Sequence, residues 1–309
     1  MLDKFNTLWK FARPHTVIGT SISLLGLYLL ALGAIWRTQV FWLTVPTLLW
    51  ALAACLAANV YIVGLNQLED VAIDQVNKPH LPLASGELSR TEGRVIVFLT
   101  GVTAVAIATA YWPESPFLLV TVVLSLLIGT AYSLPPIRLK RFPLPASLCI
   151  FTVRGLVVNI GLFAHFDQVI NGVPSRIQLN LSPELWALSL FVLVMTLVVA
   201  IFKDIPDIEG DRKYNISTFT LRLGAKTIFN LSRWLLVACY GLMALFGWLL
   251  PNANPQVLIT SHLLALGFML FESLRVNLAD PKTIADFYQF IWRLFYIEYL
   301  IFPLACLLR

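Results

Sequence analysis

A chain of 309 residues could hold one or two water-soluble domains, but 58% hydrophobic content, 13% charged content and a mean hydropathy of +0.79 exclude that class. Its net charge of +5 does not point to nucleic acid, because in so apolar a chain Lys and Arg must be read by their position relative to membrane spans. Apolar runs of about 20 residues, enough to cross about 30 Å of hydrocarbon, recur from end to end. In chain order they predict spans at 17–35, 41–65, 95–112, 116–134, 145–166, 185–203, 227–250, 256–276 and 284–308. Alternating barrel strands are absent and a backbone in lipid must satisfy itself, so the expected fold is an all-α integral membrane protein. Nine is the count these boundaries give, with eight and ten as the alternatives. Residues 1–309 leave no room for a separate soluble domain.

Positive charge sorts by side. Sixteen of the 22 Lys and Arg fall in the N-terminal segment and the even-numbered connections, whereas Arg37, Arg176 and Arg309 lie on the other side. The N-terminus is therefore expected to be cytoplasmic. The first span lacks a small-residue cleavage site and is expected to stay attached; no Ser- and Arg-rich leader precedes it, as in a bacterial or processed protein. Cys55, Cys149, Cys239 and Cys306 are scattered singly and read as small apolar residues. His15, His80, His165 and His262 read as satisfied polar contacts.

Acids are scarce, and seven of the 17 occupy two windows. Asn66-Gln67-Leu68-Glu69-Asp70-Val71-Ala72-Ile73-Asp74 ends the second span, and Lys203-Asp204-Ile205-Pro206-Asp207-Ile208-Glu209-Gly210-Asp211 ends the sixth. Helical spacing places Asn66, Asp70 and Asp74 on one stripe, and Asp204, Asp207 and Asp211 on another if the helix continues through Pro206. Both spans run inward, so both stripes are expected on the cytoplasmic face. Clustered carboxylates repel unless a cation lies between them, and oxygen-only ligands suit Mg²⁺, which takes a few carboxylates together with substrate phosphates. Arg138 and Lys140 in the fourth connection, and Lys203, bring phosphate-binding charge to the same face. Each has a plain alternative as a positive-inside residue, and Lys78, Arg90, Arg94 and Lys282 lean to that role. Connections at about 66–94 and 203–226 are expected to cap the site.

These strings, NQLEDVAID with NKPHLPLASGELS, YSLPPIRLKRF, TVRG at 152–155, KDIPDIEGD and FYQFIWRLFYIEYL, together resemble the UbiA superfamily of intramembrane aromatic prenyltransferases, and within it the cyanobacterial homogentisate phytyltransferase group. The resemblance covers essentially the whole chain. It implies nine helices around a central lipid-accessible chamber, with Asn66, Asp70, Asp74, Asp207 and Asp211 as Mg²⁺ and diphosphate ligands. Asp204 matches the homogentisate form of the second motif, and Arg138, Lys140 and Lys203 match diphosphate-holding positions. Gln67 departs from relatives that carry a further Asp there. The implied reaction is Mg²⁺-dependent transfer of a phytyl group from phytyl diphosphate to homogentisate with decarboxylation, giving 2-methyl-6-phytyl-1,4-benzoquinol for tocopherol. No protein partner is implied, and a cyanobacterial protein would reside in the plasma or thylakoid membrane.

Other prenyl acceptors or donors, as in solanesyl, geranylgeranyl, chlorophyll or menaquinone chemistry, remain alternatives, as does a transporter for cations or organic anions. A transporter is expected to place its acids near mid-bilayer. Arg154, an intramembrane charge with no local partner, is a candidate for acceptor or diphosphate binding. Arg293, five residues before Glu298, is expected to form a structural ion pair with it.

Overall fold

The computed structural model describes residues 2–33, 38–172, 179, 181–214 and 216–309, and every regular element among them is helical. A short amphipathic helix, α1 (Leu2–Phe11), bends at Arg13 into the crossing helix α2 (Pro14–Leu32). The next crossing, α3 (Val45–Glu69), is followed by two short helices, α4 (Val71–Asn77) and α5 (Pro82–Ser85), and then by α6 (Arg90–Ala110). The chain returns through α7 (Phe117–Ser133). One crossing is composite, formed by α8 (Pro143–Phe151), a π-helical turn at Thr152–Val157 and α9 (Val158–Asn171). The central α10 (Pro183–Phe202) leads into the short α11 (Ile208–Lys213) and α12 (Phe219–Leu223). Three long helices close the bundle: α13 (Ala225–Phe246), α14 (Pro255–Ser273) and α15 (Pro281–Leu307).

Eight of these segments are long and apolar enough to cross a bilayer. The other expected span, α7, has 17 residues, short of the usual 20 or so, yet it carries the chain back to the end where α8 begins. The third span starts at Arg90 rather than 95 because Ser89 and Glu92 form a reciprocal capping box, which holds a polar first turn in the helix.

The main packing pairs are α3 with α6, α2 with α15 and α9, and α13 with α14. Leu188, Val192, Met195 and Val198 of α10 are fully buried, whereas Phe98, Leu127, Trp234 and Leu264 point outward, as expected of faces bathed in lipid. Lipid tails are as apolar as Leu, so helix association there rests on close packing and interhelical hydrogen bonds. Tyr61 bonds Thr130 at 2.9 Å, Tyr299 donates to Asn159, and Asn171 donates to the Ala31 carbonyl at 2.8 Å. Buried Glu298 pairs with His262 at 3.3 Å, not with Arg293, which sits on the exposed face of α15. Five residues along a helix is nearly one and a half turns, so Arg293 and Glu298 face different ways.

The two ends of the bundle differ in charge. One end gathers Lys10, Arg13, Lys78, Arg138, Lys140 and Lys203 with their acidic partners. At the other, Glu184 accepts from the Asn252 amide at 2.8 Å and Arg309 donates to the Asn252 side chain at 2.7 Å. Arg37 and Arg176 lie outside the described residues.

Candidate functional site

The first acidic window is not one continuous helix. At Asp70 the backbone leaves helical geometry (φ −111°, ψ 13°), ending α3 and starting α4, so the joint itself carries a carboxylate. The second window is broken as well. Pro206 has no N–H to donate, and the chain turns through Lys203–Asp207 before α11 begins. The simple stripe geometry is thereby corrected: Asp74 and Asp211 sit on separate short helices rather than on extensions of α3 and α10.

Those short helices bring the windows together. The Gly210 amide donates to Asn77 Oδ1 at 2.9 Å, and Lys78 forms an ion pair with Asp207. A Cβ at position 210 would overlap the Asn77 side chain, so glycine here lets Asn77 reach the 210 amide, and a larger residue would force Asn77 or α11 to move. Both acidic windows therefore share one face of the bundle and touch through a direct polar seam.

Every cation of the site grips an acid. Asp70 receives Arg138 at 3.0 Å, Lys140 at 2.5 Å and the Asn66 amide at 3.1 Å. Arg13 donates to Asn66 at 3.2 Å and stands 3.9 Å from Asp74, and Lys203 lies 3.2 Å from Asp204. Arg13 and Arg138 are the two non-glycine residues among those described with positive φ, at 54° and 38°. Such conformations cost about 1–3 kcal/mol each and persist where surrounding structure enforces them. Here both deliver a guanidinium to the first acidic window.

The structure brings together Asn66, Asp70, Asp74, Arg138 and Lys140 from the first half with Lys203, Asp204, Asp207 and Asp211 from the second. It adds three residues that sequence reasoning left out of the site: Arg13, Asn77 and Lys78. By sequence Lys78 leans to a positive-inside role, yet it is the ion-pair bridge between the halves. Its place one turn after Asp74 was the available signal. Arg154 does not join the cluster and packs instead against Trp292 and Phe295.

Burial governs the titration of the acids. It pushes the Asp74 carboxyl up to about 6, against the pull of Arg13 and Lys78, and the Asp211 carboxyl up to about 7, with Asp207 and Asp204 adding to the rise. Burial also holds the Lys140 ammonium below its usual range, while Asp70 pulls it back. A carboxyl group raised in the fold is charged at a cost. Stability of the ligand-free fold should therefore fall as pH rises from the ordinary carboxyl value of 3.8 through 6–7. A divalent cation competes with those protons. Its stabilising effect on thermal unfolding is expected to be larger at about pH 8 than at about pH 5, and equal shifts at both would contradict these environments.

The donors also fit a divalent cation chemically. Asp74 Oδ2 is buried without a hydrogen bond, and the surrounding donors are oxygens. Among the described residues no three His, Cys, Asp or Glu side chains converge on one ion-sized point. That suits cation binding completed by waters and phosphate oxygens beside a few carboxylates, rather than by a full protein cage.

A polytopic helical bundle with a mixed acidic and basic site at one end suits an intramembrane enzyme that handles an anionic substrate. The model of the UbiA prenyltransferase family matches residues 22–294, and the chain belongs to that family of enzymes. It is 49% identical over 298 residues to homogentisate phytyltransferase of Synechocystis, covering 96% of this chain and 94% of that one. It is 37% identical over 302 residues to the chloroplastic homogentisate solanesyltransferase of Arabidopsis thaliana, covering 96% and 76%. In fold it resembles a UbiA homolog from Archaeoglobus fulgidus bound to DMAPP and Mg²⁺, with a TM-score of 0.64 at 16% identity over 97% of this chain and 99% of that one.

Proposed function

We propose that this chain transfers a phytyl group from phytyl diphosphate to homogentisate with loss of CO₂, giving 2-methyl-6-phytyl-1,4-benzoquinol, a step of tocopherol biosynthesis. The observation that carries the reading is the seam joining Asp70 and Asp74 to Asp207 and Asp211, in a chain that is 49% identical along nearly its whole length to a homogentisate phytyltransferase. A transporter is disfavoured because these acids sit at helix ends rather than at mid-bilayer.

Asp70, Asp74, Asp207 and Asp211, with Asp204, would hold Mg²⁺, which when bound neutralises charge on the departing diphosphate. Arg138, Lys140 and Lys203, with Asn66, bind the diphosphate itself. On loading, the cations that now grip Asp70 and Asp204 would pass to phosphate oxygens, leaving those carboxylates free to hold the metal. Bringing substrate in thus leaves few buried charges unpaired. The allylic C–O bond breaks with its electron pair leaving on the diphosphate, and a ring carbon of the acceptor forms the new C–C bond. The proton lost from that carbon is balanced by the one the benzylic carbon gains when CO₂ departs. Enclosure within the bundle keeps water from the cationic centre, and segments 66–94 and 203–226 form the cap.

The basic end carries most of the Lys and Arg, and we infer that it and the N-terminus face the cytoplasm. The similarity to a solanesyltransferase supports a second donor reading with the same acceptor. Purified protein in lipid nanodiscs, offered homogentisate with phytyl, geranylgeranyl or solanesyl diphosphate, with and without Mg²⁺, tests both readings. Metal-dependent product from phytyl diphosphate is expected, and turnover only of other acceptors would overturn the assignment. Lys140→Ala should raise KM for prenyl diphosphate by about tenfold or more, since a charged hydrogen bond is worth about 1.5–3 kcal/mol, and leave KM for homogentisate nearly unchanged. Equal changes in both would remove Lys140 from the diphosphate site.

A further inference from the structure

Arg154 lies in the π-helical turn Thr152–Val157, within a membrane-crossing segment. Turns of this kind are rare and tend to occur at functional sites. The guanidinium carbon rests 5.0 Å from the Trp292 ring centroid and 5.8 Å from that of Phe295. The ionisable groups that act on it are Tyr288, Tyr296, Tyr299 and His15, the last of which packs 5.1 Å from the same Trp292 ring. Two of those phenols are committed elsewhere: Tyr296 donates to the His15 carbonyl at 2.7 Å, and Tyr299 donates to Asn159. Among the described residues Arg154 has neither an ion-pair partner nor a side-chain hydrogen bond. Gly19 packs closely against this group, since a Cβ there would come 3.2 Å from the Trp292 ring and 3.6 Å from an Arg154 nitrogen, and it brings no polar side chain to the guanidinium.

Stacking on aromatic faces suits the flat side of a guanidinium but leaves its N–H edge, with five donors, unsatisfied. An unpaired cation inside a membrane protein is costly and points to an anion supplied from outside the chain. On the transferase reading two anions have to be bound, the donor's diphosphate and the acceptor's carboxylate. Depth separates them. Tyr288 neighbours both Lys203 and Arg154, and from Tyr288 the helix α15 descends four residues to Trp292 and seven to Phe295, about 6 and 10 Å. Tyr288 stacks on Phe202, the residue before Lys203, so Arg154 lies one to two helical turns below the cations that meet diphosphate, and among the described residues no Asp or Glu pairs with it.

Resting on the transferase reading, we propose that Arg154 binds the carboxylate of the aromatic acid acceptor, its guanidinium held flat by Trp292 and Phe295. The planar fork of Arg matches a carboxylate in two parallel hydrogen bonds, which fixes the acceptor ring in orientation as well as in place. Arg154 thus sets the selectivity for acidic over neutral quinols.

The test uses the full chain in nanodiscs with Arg154→Gln, and with Arg154→Lys as a charge-preserving variant that protects against misfolding. The expected result is a KM for homogentisate raised about tenfold or more in R154Q and less in R154K, with KM for phytyl diphosphate changed less than about twofold. Wild-type protein should prefer homogentisate to its methyl ester, and R154Q should lose that preference. Unchanged KM for homogentisate in both variants, or an equal rise for phytyl diphosphate, would overturn the proposal. Calorimetric binding of homogentisate without donor reads the same contact independently of turnover. Failure of wild-type protein to prenylate homogentisate would instead overturn the acceptor assignment above, and the calorimetry would still report on Arg154.

Discussion

Asp70→Asn is expected to lower prenyl transfer by about a thousandfold, the upper range for removing one group that stabilises charge in the transition state. Asp70 is the hub of the first acidic window, holding Arg138, Lys140 and Asn66 at 3.0, 2.5 and 3.1 Å. The amide is isosteric but neutral, so it weakens metal binding and leaves two neighbouring cations without their counterion. Asp207→Asn should have a comparable effect for a different reason. It removes the ion pair with Lys78, and so both a candidate metal ligand and one of the ties between the halves. Each variant should still insert and run as a monodisperse species in detergent, because neither side chain belongs to the apolar core. Binding of radiolabelled prenyl diphosphate in the presence of Mg²⁺ would separate lost affinity from lost chemistry. Wild-type turnover in either variant would remove the carboxylate site as proposed.

Gly210→Ala should lower transfer by about a hundredfold although it alters no charge. The added methyl would overlap the Asn77 side chain and push α11 away from α4. A misplacement of about 1 Å between catalytic groups can cost about a hundredfold in rate, and the seam is what sets the distance between the two acidic windows. The cause can be isolated with Gly210→Ala/Asn77→Ala, which trims the obstructing side chain. The double variant loses the bond from the Gly210 amide but regains space, and it should recover about tenfold over Gly210→Ala alone if the defect is steric. A double variant no better than the single one would show that the hydrogen bond, rather than close approach, holds the windows in register.

Several features were legible in the amino-acid order alone. Apolar runs of the right length fix an all-helical membrane fold, because lipid offers no partner for a bare backbone N–H. Scarcity of acid made the windows at 66–74 and 204–211 conspicuous, since each buried carboxylate in such a protein needs a reason. The asymmetric spread of Lys and Arg named the end of the bundle where they meet. The capping of α6 was also written locally, in Ser89 and Glu92, although the hydropathy of the segment hid its first turn.

Periodicity misled where the backbone departs from a helix. Spacings of four and eight residues describe a stripe only while the helix continues, and it stops at Asp70 and again after Phe202. What unites the acids is a contact between residues 133 apart, the Gly210 amide on Asn77, which no local pattern announces. Lys78 and Arg13 looked like ordinary positive-inside residues because the sequence carries a charge's sign and place in the chain, while its partner is a property of three dimensions. For the same reason Arg293 and Glu298, close in sequence, turn to different surroundings, and Glu298 meets His262 instead. Sequence determined which elements form and which residues carry charge, since both follow from local chemistry and the demands of lipid. Tertiary structure alone decided which charges face one another, because that depends on where helices break and how closely they pack.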